Sequence, residues 1–235
     1  MKYFKRFSEM SAEDLRVDMH LHSTYTDGEG SIEGIVAQAE NLGLKRIAFT
    51  DHARKESTYI SDYFDHIDRV SEHSSVELCK GVEVKVDNFN GDIDVSDEVR
   101  RSADLIIASV HRFPLGRELY AAAKFEKRIA QAIELDLALS AVQARACDVL
   151  GHAGGMSLAS FQEFPLEFFE ELICACSDGN VAFEISSAYH KPVIAKLIPL
   201  LEQYDPLVSV SSDAHTLSRV GNRCDVLDRY FNERA

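Results

Sequence analysis

The chemistry this chain could perform begins at two histidines spaced i, i+2. Val17-Asp18-Met19-His20-Leu21-His22 reads as a β-strand with Asp18, His20 and His22 on one face and Val17, Met19 and Leu21 on the other. Neutral imidazole is a frequent transition-metal ligand, and this spacing brings two rings to one ion. The residue types recur. His52, His111, His152 and His215 each lie at or just past the end of a later apolar run, whereas His66, His73 and His190 do not. Carboxylates accompany them: Asp27 in the first polar loop, Glu83 on the third run, and Asp213 two residues before His215. That makes nine possible ligands. A catalytic tetrahedral ion takes three protein ligands and a water, so nine suit two or three ions with a bridging carboxylate. A mixed His and carboxylate set fits Zn, Mn or Fe better than Ca or Mg, which prefer oxygen shells.

The elements that must position these residues alternate along the chain. Strands are expected at Arg16–Leu21, Lys45–Thr50, Val76–Val86, Leu105–Val110, Cys147–Leu150, Asn180–Ile185 and Leu207–Ser211. Helical patterns lie between them: Ile32, Ile35, Val36, Ala39 and Leu42, then Asp62–Glu72, Asp97–Ser102, much of Gly116–Arg145, Phe164–Cys176, Pro192–Gln203 and Gly221–Tyr230. Strand–helix alternation means a parallel sheet with right-handed crossovers. Seven such units favour a closed or nearly closed α/β barrel, whose site lies at the carboxyl ends of the strands.

Composition narrows the partners. With 235 residues, 46% of them hydrophobic, the chain reads as one compact domain over 1–235. No apolar run is long enough to span a membrane, and the basic N-terminus is followed by no apolar stretch of a signal peptide, so the cytoplasm is the default location. Five scattered cysteines without a C-x-x-C pair read as reduced core thiols. The formal charge of −14 makes long nucleic acid a poor partner. A small phosphorylated substrate remains compatible if metals supply local positive charge. Nothing in the sequence reports an oligomeric state.

Six motifs occur in a telling order: Asp18-Met19-His20-Leu21-His22, Thr50-Asp51-His52, Gly81-Val82-Glu83, Ala108-Ser109-Val110-His111, Leu150-Gly151-His152 and Ser212-Asp213-Ala214-His215. From about Val17 to Arg219 the chain resembles the PHP (polymerase and histidinol phosphatase) superfamily, and the segment from Gly81 to His111 resembles its stand-alone phosphatase members and the PHP domain of bacterial family X polymerases. The resemblance implies a distorted (β/α)7 TIM-like barrel. It also implies His20, His22, Glu83 and Asp213 on one ion, Glu83, His111 and His152 on a second, and Asp27, His52 and His215 on a third. The place of Asp27 is His in some members. Asp18 and Asp51 are expected to orient imidazoles through their other ring nitrogen.

The chemistry so implied is phosphoester hydrolysis by a hydroxide held between metals, with Glu83, Asp213 and His215 as catalytic groups. The expected substrate is a small phosphomonoester such as histidinol phosphate or a nucleotide. Arg112 is the first candidate for a phosphate anchor, joined by Arg54, Lys191 and Arg219, with His190 as a further contact. The alternatives are a nuclease or nucleotide phosphatase acting on short oligonucleotides or a bisphosphonucleotide, an amidohydrolase, and a metal-stabilised regulatory domain without activity.

Overall fold

The computed structural model describes residues 2–116 and 118–234. Seven parallel strands carry the architecture: β1 Val17–Leu21, β2 Arg46–Phe49, β3 Glu77–Lys85, β4 Leu105–Ser109, β5 Val149–Leu150, β6 Ala182–Ser186 and β7 Leu207–Ser211. Neighbours in sequence are neighbours in the sheet from β1 through β7. The two ends meet through a bridge between Leu21 and Ala214, where His22 N donates to Ala214 O. The result is a TIM-like barrel whose last seam is narrow. The short strand Lys5–Arg6 runs antiparallel on β7, and His52–Ala53 pairs with the end of β3.

Among the described residues eight α-helices surround the strands: α1 Ile32–Asn41, α2 Ile60–Ser71, α3 Asp97–Ser102, α4 Lys127–Gln143, α5 Gly155–Phe161, α6 Leu166–Gly179, α7 Ile194–Tyr204 and α8 Asp225–Glu233. Local sequence explains the start of three of them, α1, α3 and α4, which carry side-chain caps at Ser31, Ser96 and Glu126. Ser31 caps α1 by accepting from Gly34 N, and α1 then buries Ile32, Ile35, Val36 and Ala39 at helical spacing. Among the described residues no helix is long and apolar enough to cross a membrane.

The segment from Gly116 to Arg145 departs from the helical expectation over its first part. Phe113–Leu115 and Glu118–Tyr120 form an antiparallel hairpin, and the helix begins only at Lys127. Gly116 takes φ +64° at the turn, a left-handed geometry that glycine adopts without strain. Arg117 lies outside the described residues.

The barrel interior is layered. Met19, Ala48, Cys79, Leu105, Ile107, Val149, Ala182 and Leu207, two from β4 and one from each other strand, form an apolar floor with Phe4. One pleat higher, Thr50, Gly81, Ser109, Gly151 and Ser209 leave little side-chain volume. A Cβ on Gly151 would collide with Ser109 Oγ, so this layer is tight. The next pleat carries His52, Glu83 and His111, while Glu184 stands in register with Ser209 in the layer below. Strand alternation breaks once. A register shift between Asp18 and Leu21 puts Met19 in the interior floor and Leu21 in the outer core under the helices. This shift turns both His20 and His22 inward above Met19.

Candidate metal centre

Around Glu83 the strand ends converge. Its Oε1 lies 3.0 Å from His111 Nε2 and 3.0 Å from His152 Nε2. Its Oε2 lies 3.4 Å from His20 Nε2, 3.5 Å from His22 Nε2 and 3.1 Å from His52 Nδ1. Asp213 faces the same pair of histidines, with Oδ1 3.3 Å from His22 Nε2 and 3.8 Å from His20 Nε2. To the outer side, Asp27 Oδ2 is 3.3 Å from His52 Nε2 and 3.3 Å from His215 Nε2. All nine donors expected from the sequence therefore stand within one continuous cluster.

Burial and mutual charge set their protonation. Burial opposes ionisation of Glu83, but the imidazoles of His111, His20 and His152 outweigh it and hold the carboxyl well below its usual range. Burial likewise opposes a charged His152, while the hydrogen bond and charge of Glu83 lift it to about 9. His22 moves the other way, because burial and the neighbouring His20 lower it. Asp213 stays ionised: His20 and His22 override its burial.

Three compact donor groups can each hold an ion: His20, His22 and Asp213; His52, Glu83 and His111; and His22, Asp27, His52 and His215. Ligands about 2.1 Å from one ion stand roughly 3.0–3.4 Å apart at octahedral or tetrahedral angles. The closest pairs here fall in or near that range. His22 Nδ1 is buried with no hydrogen-bond partner, 3.6 Å from Asp27 Oδ1, so the protein alone leaves the cluster incompletely satisfied. The donor set fits transition metals.

The sequence profile of the PHP domain family matches residues 18–188. This chain belongs to the PHP domain family. Among curated relatives, it is 25% identical over 225 residues to the "Probable phosphatase" of Caldicellulosiruptor saccharolyticus, covering 93% of this chain and 87% of that protein. It is 28% identical to a "Probable phosphatase" of Vibrio parahaemolyticus, covering 89% and 81%. Among solved structures, the histidinol phosphate phosphatase of Lactococcus lactis complexed with Zn, L-histidinol and phosphate superposes with a TM-score of 0.67 at 21% identity, over 93% of this chain and 91% of that one.

In this PHP domain the residue that steadies two donors is Glu184 on β6, which sequence reasoning missed. Its Oε1 accepts from His20 Nδ1 at 2.7 Å and from Ser211 Oγ at 2.7 Å, and its Oε2 accepts from the backbone N–H of His152. Donation from Nδ1 leaves the Nε2 lone pair of His20 facing the cluster. The available signal was a lone carboxylate inside the apolar strand Ala182–Ser186. His215 is set similarly, its Nδ1 donating to Asp213 O at 3.2 Å.

The role expected of Asp18 and Asp51 is corrected. Asp18 accepts from Ser212 N, Ser212 Oγ and Gly221 N, and Asp51 from Ser23 N, Ser23 Oγ and Thr26 Oγ1. Both pin loops and touch no imidazole nitrogen. Glu134 on α4 pins another. It accepts from Met156 N, Ser157 N and Ser157 Oγ in the first turn of α5, just beyond His152.

A cavity of about 460 Å³ opens above the cluster. Of the expected anchors, Arg54 and Arg112 line it, together with Lys85, Leu119 and Tyr189, which the sequence had not singled out. Lys191 and Arg219 are exposed and do not line it. Lys191 lies near Cys224 at the start of α8 instead. His190 is fully buried, with Nδ1 accepting from Ser186 N and Nε2 donating to Ala153 O. Both nitrogens are engaged inside the wall, which removes it as a substrate contact.

Proposed function

We propose that this PHP domain is a metal-dependent phosphatase acting on a small phosphorylated molecule. The observation that carries the reading is the meeting of five imidazoles on the two oxygens of Glu83, directly below a cavity with a cationic rim. His20, His22, Glu83 and Asp213 would hold one ion, Glu83, His111 and His152 a second, and Asp27, His52 and His215 a third. Zn, Mn and Fe all suit these donors. When bound, such ions polarise a phosphoryl oxygen and lower the pKa of water from about 15.7 to near 7.

The chain's own residues do the rest. Glu184 keeps His20 in the tautomer that offers Nε2. Glu83 and Asp213 are held ionised by the imidazoles around them. Arg54 and Arg112 bring positive charge to an otherwise acidic molecule at the cavity where an anionic substrate would enter. Leu119 and Tyr189 offer apolar surface to its organic part. The phosphatase relatives and the Lactococcus structure, with zinc and phosphate in a similar barrel, support the assignment.

The test is hydrolysis of a panel of phosphomonoesters, chromogenic esters and histidinol phosphate included, by protein loaded with Zn, Mn or Fe. Turnover that chelation abolishes and metal restores is the expected result. Loaded protein that cleaves none of them would overturn the reading.

A further inference from the structure

Charge in the cavity is divided between floor and rim. The carboxylates that line it are Glu83 and Asp213, both buried among imidazoles. The rim carries Arg54, Lys85 and Arg112. Each follows a donor: Arg54 two residues past His52, Lys85 two past Glu83, and Arg112 beside His111. His52 pairs with Glu83, and Glu83 with Ile107 on β4, so the three cations belong to adjoining strand ends. The remaining wall contributes Tyr189 and His215 but no Lys or Arg.

Lys85 is answered by Asp87 at 2.9 Å. Arg54 and Arg112 are not answered. Among the described residues no carboxylate oxygen lies within 4.0 Å of either guanidinium, and neither guanidinium makes a hydrogen bond. In a chain of net charge −14, two unspent arginines at one cavity mouth mark a place for an anion. A phosphoryl group at the donor cluster would have its charge met by that cluster's ions. The arginines are surplus to it. Among the described residues no carboxylate other than Glu83 and Asp213 lines the cavity to receive a substrate ammonium.

Resting on the phosphatase reading above, we infer that the substrate bears a second anionic group, phosphate or carboxylate, seated against Arg54 and Arg112. Leu119 and Tyr189 flank the apolar segment between the two acids. The amine of histidinol phosphate has no such counterpart here.

Matched pairs test this: phenyl phosphate against 4-carboxyphenyl phosphate, and adenosine 3′-monophosphate against adenosine 3′,5′-bisphosphate, with histidinol phosphate as the amine-bearing arm. The second acid should raise kcat/KM about 30-fold, mainly through KM, as expected for charge-assisted hydrogen bonds. Whichever pair shows the larger ratio identifies carboxylate or phosphate as the second group. Arg54→Gln and Arg112→Gln should each cut that ratio to about 3-fold. Calorimetric binding of phenylphosphonate and 4-carboxyphenylphosphonate to wild type and Arg54→Gln reads the same difference without turnover. Ratios near one in wild type, equal losses for both members of a pair in the variants, or a preference for histidinol phosphate would overturn the inference. Failure to hydrolyse any ester counts against the phosphatase reading, and the phosphonate pair still decides the second anionic site.

Discussion

The two ends of the barrel carry charge in opposite ways. At the amino end, around a cavity of about 300 Å³, cations meet carboxylates in small surface pairs: Lys5 with Asp14 at 2.7 Å, Lys45 with Glu13 at 2.6 Å, Arg46 with Glu77 at 2.7 Å. These pairs are partly or fully open to solvent. At the carboxyl end five imidazoles crowd one buried carboxylate, and His20 Nε2 sits 3.1 Å from His22 Nε2. Glu83 has no single partner there. The contrast teaches that the number of ionisable groups says little about function. What separates a structural end from a chemical one is whether each charge already has its own partner.

The sharpest way to break the contrast is Glu83→Gln, which removes the charge that five imidazoles share. Metal content measured by plasma mass spectrometry should fall, and phosphatase activity should drop on the order of 1000-fold. Retention of both would place the upper cluster in the same class as the lower one. Chelating the wild type should lower its melting temperature by about 5–10 °C, the linkage expected for ligand at about 100 times its Kd.

His190 sharpens the comparison with a buried group that stays neutral. Burial pushes its pKa down to about 4, below the value near 6.5 of an unfolded chain. The unfolded state then binds more protons, so the stability is full above about pH 6.5 and is lost as pH falls toward 4. The loss amounts to about 3 kcal/mol below pH 4. Denaturant melts of chelated protein between pH 7 and 4 should show this slope, and His190→Asn should flatten it. An unchanged slope in the variant would assign the acid sensitivity elsewhere.

Glu184→Gln keeps the shape beside His20 but removes the charge that steadies it. Metal affinity should weaken about 10- to 100-fold with the fold intact, measured by competition with a chromogenic chelator. The smallest effect belongs to the amino end. Arg46→Gln should move the melting temperature by less than about 2 °C and leave metal content unchanged.

Much of this was legible in the sequence, for definite reasons. Every barrel strand is a short apolar run, and all but β6 carry a ligand-type residue at or near the carboxyl end, so the strand positions and the rim they share could be read together. Residues whose role depends on neighbouring strands were less legible. Asp18 shares a face with His20 on an ideal strand, but the register shift in β1 sends its oxygens to Ser212 and Gly221. Glu184 reaches His20 across 164 positions, a stagger that one sequence does not state. Helix α5 starts among glycines and receives its capping carboxylate from Glu134, more than 20 residues earlier, so no local signal announced it. The hairpin Phe113–Tyr120 was hidden by helix-forming residues around it, with Gly116 as its one overt marker.

The seam where β1 meets β7 sets an order of events during synthesis. Asp18 bonds partners 194 and 203 positions away, and His20 and His22 face Asp213. A nascent chain that stops short of Leu207 has six of the seven barrel strands, an unpaired first edge and a donor set lacking its final members. The barrel therefore closes, and the donor cluster assembles, only after the seventh strand has left the ribosome. The first motif to be translated waits for the last before either has its proper surroundings.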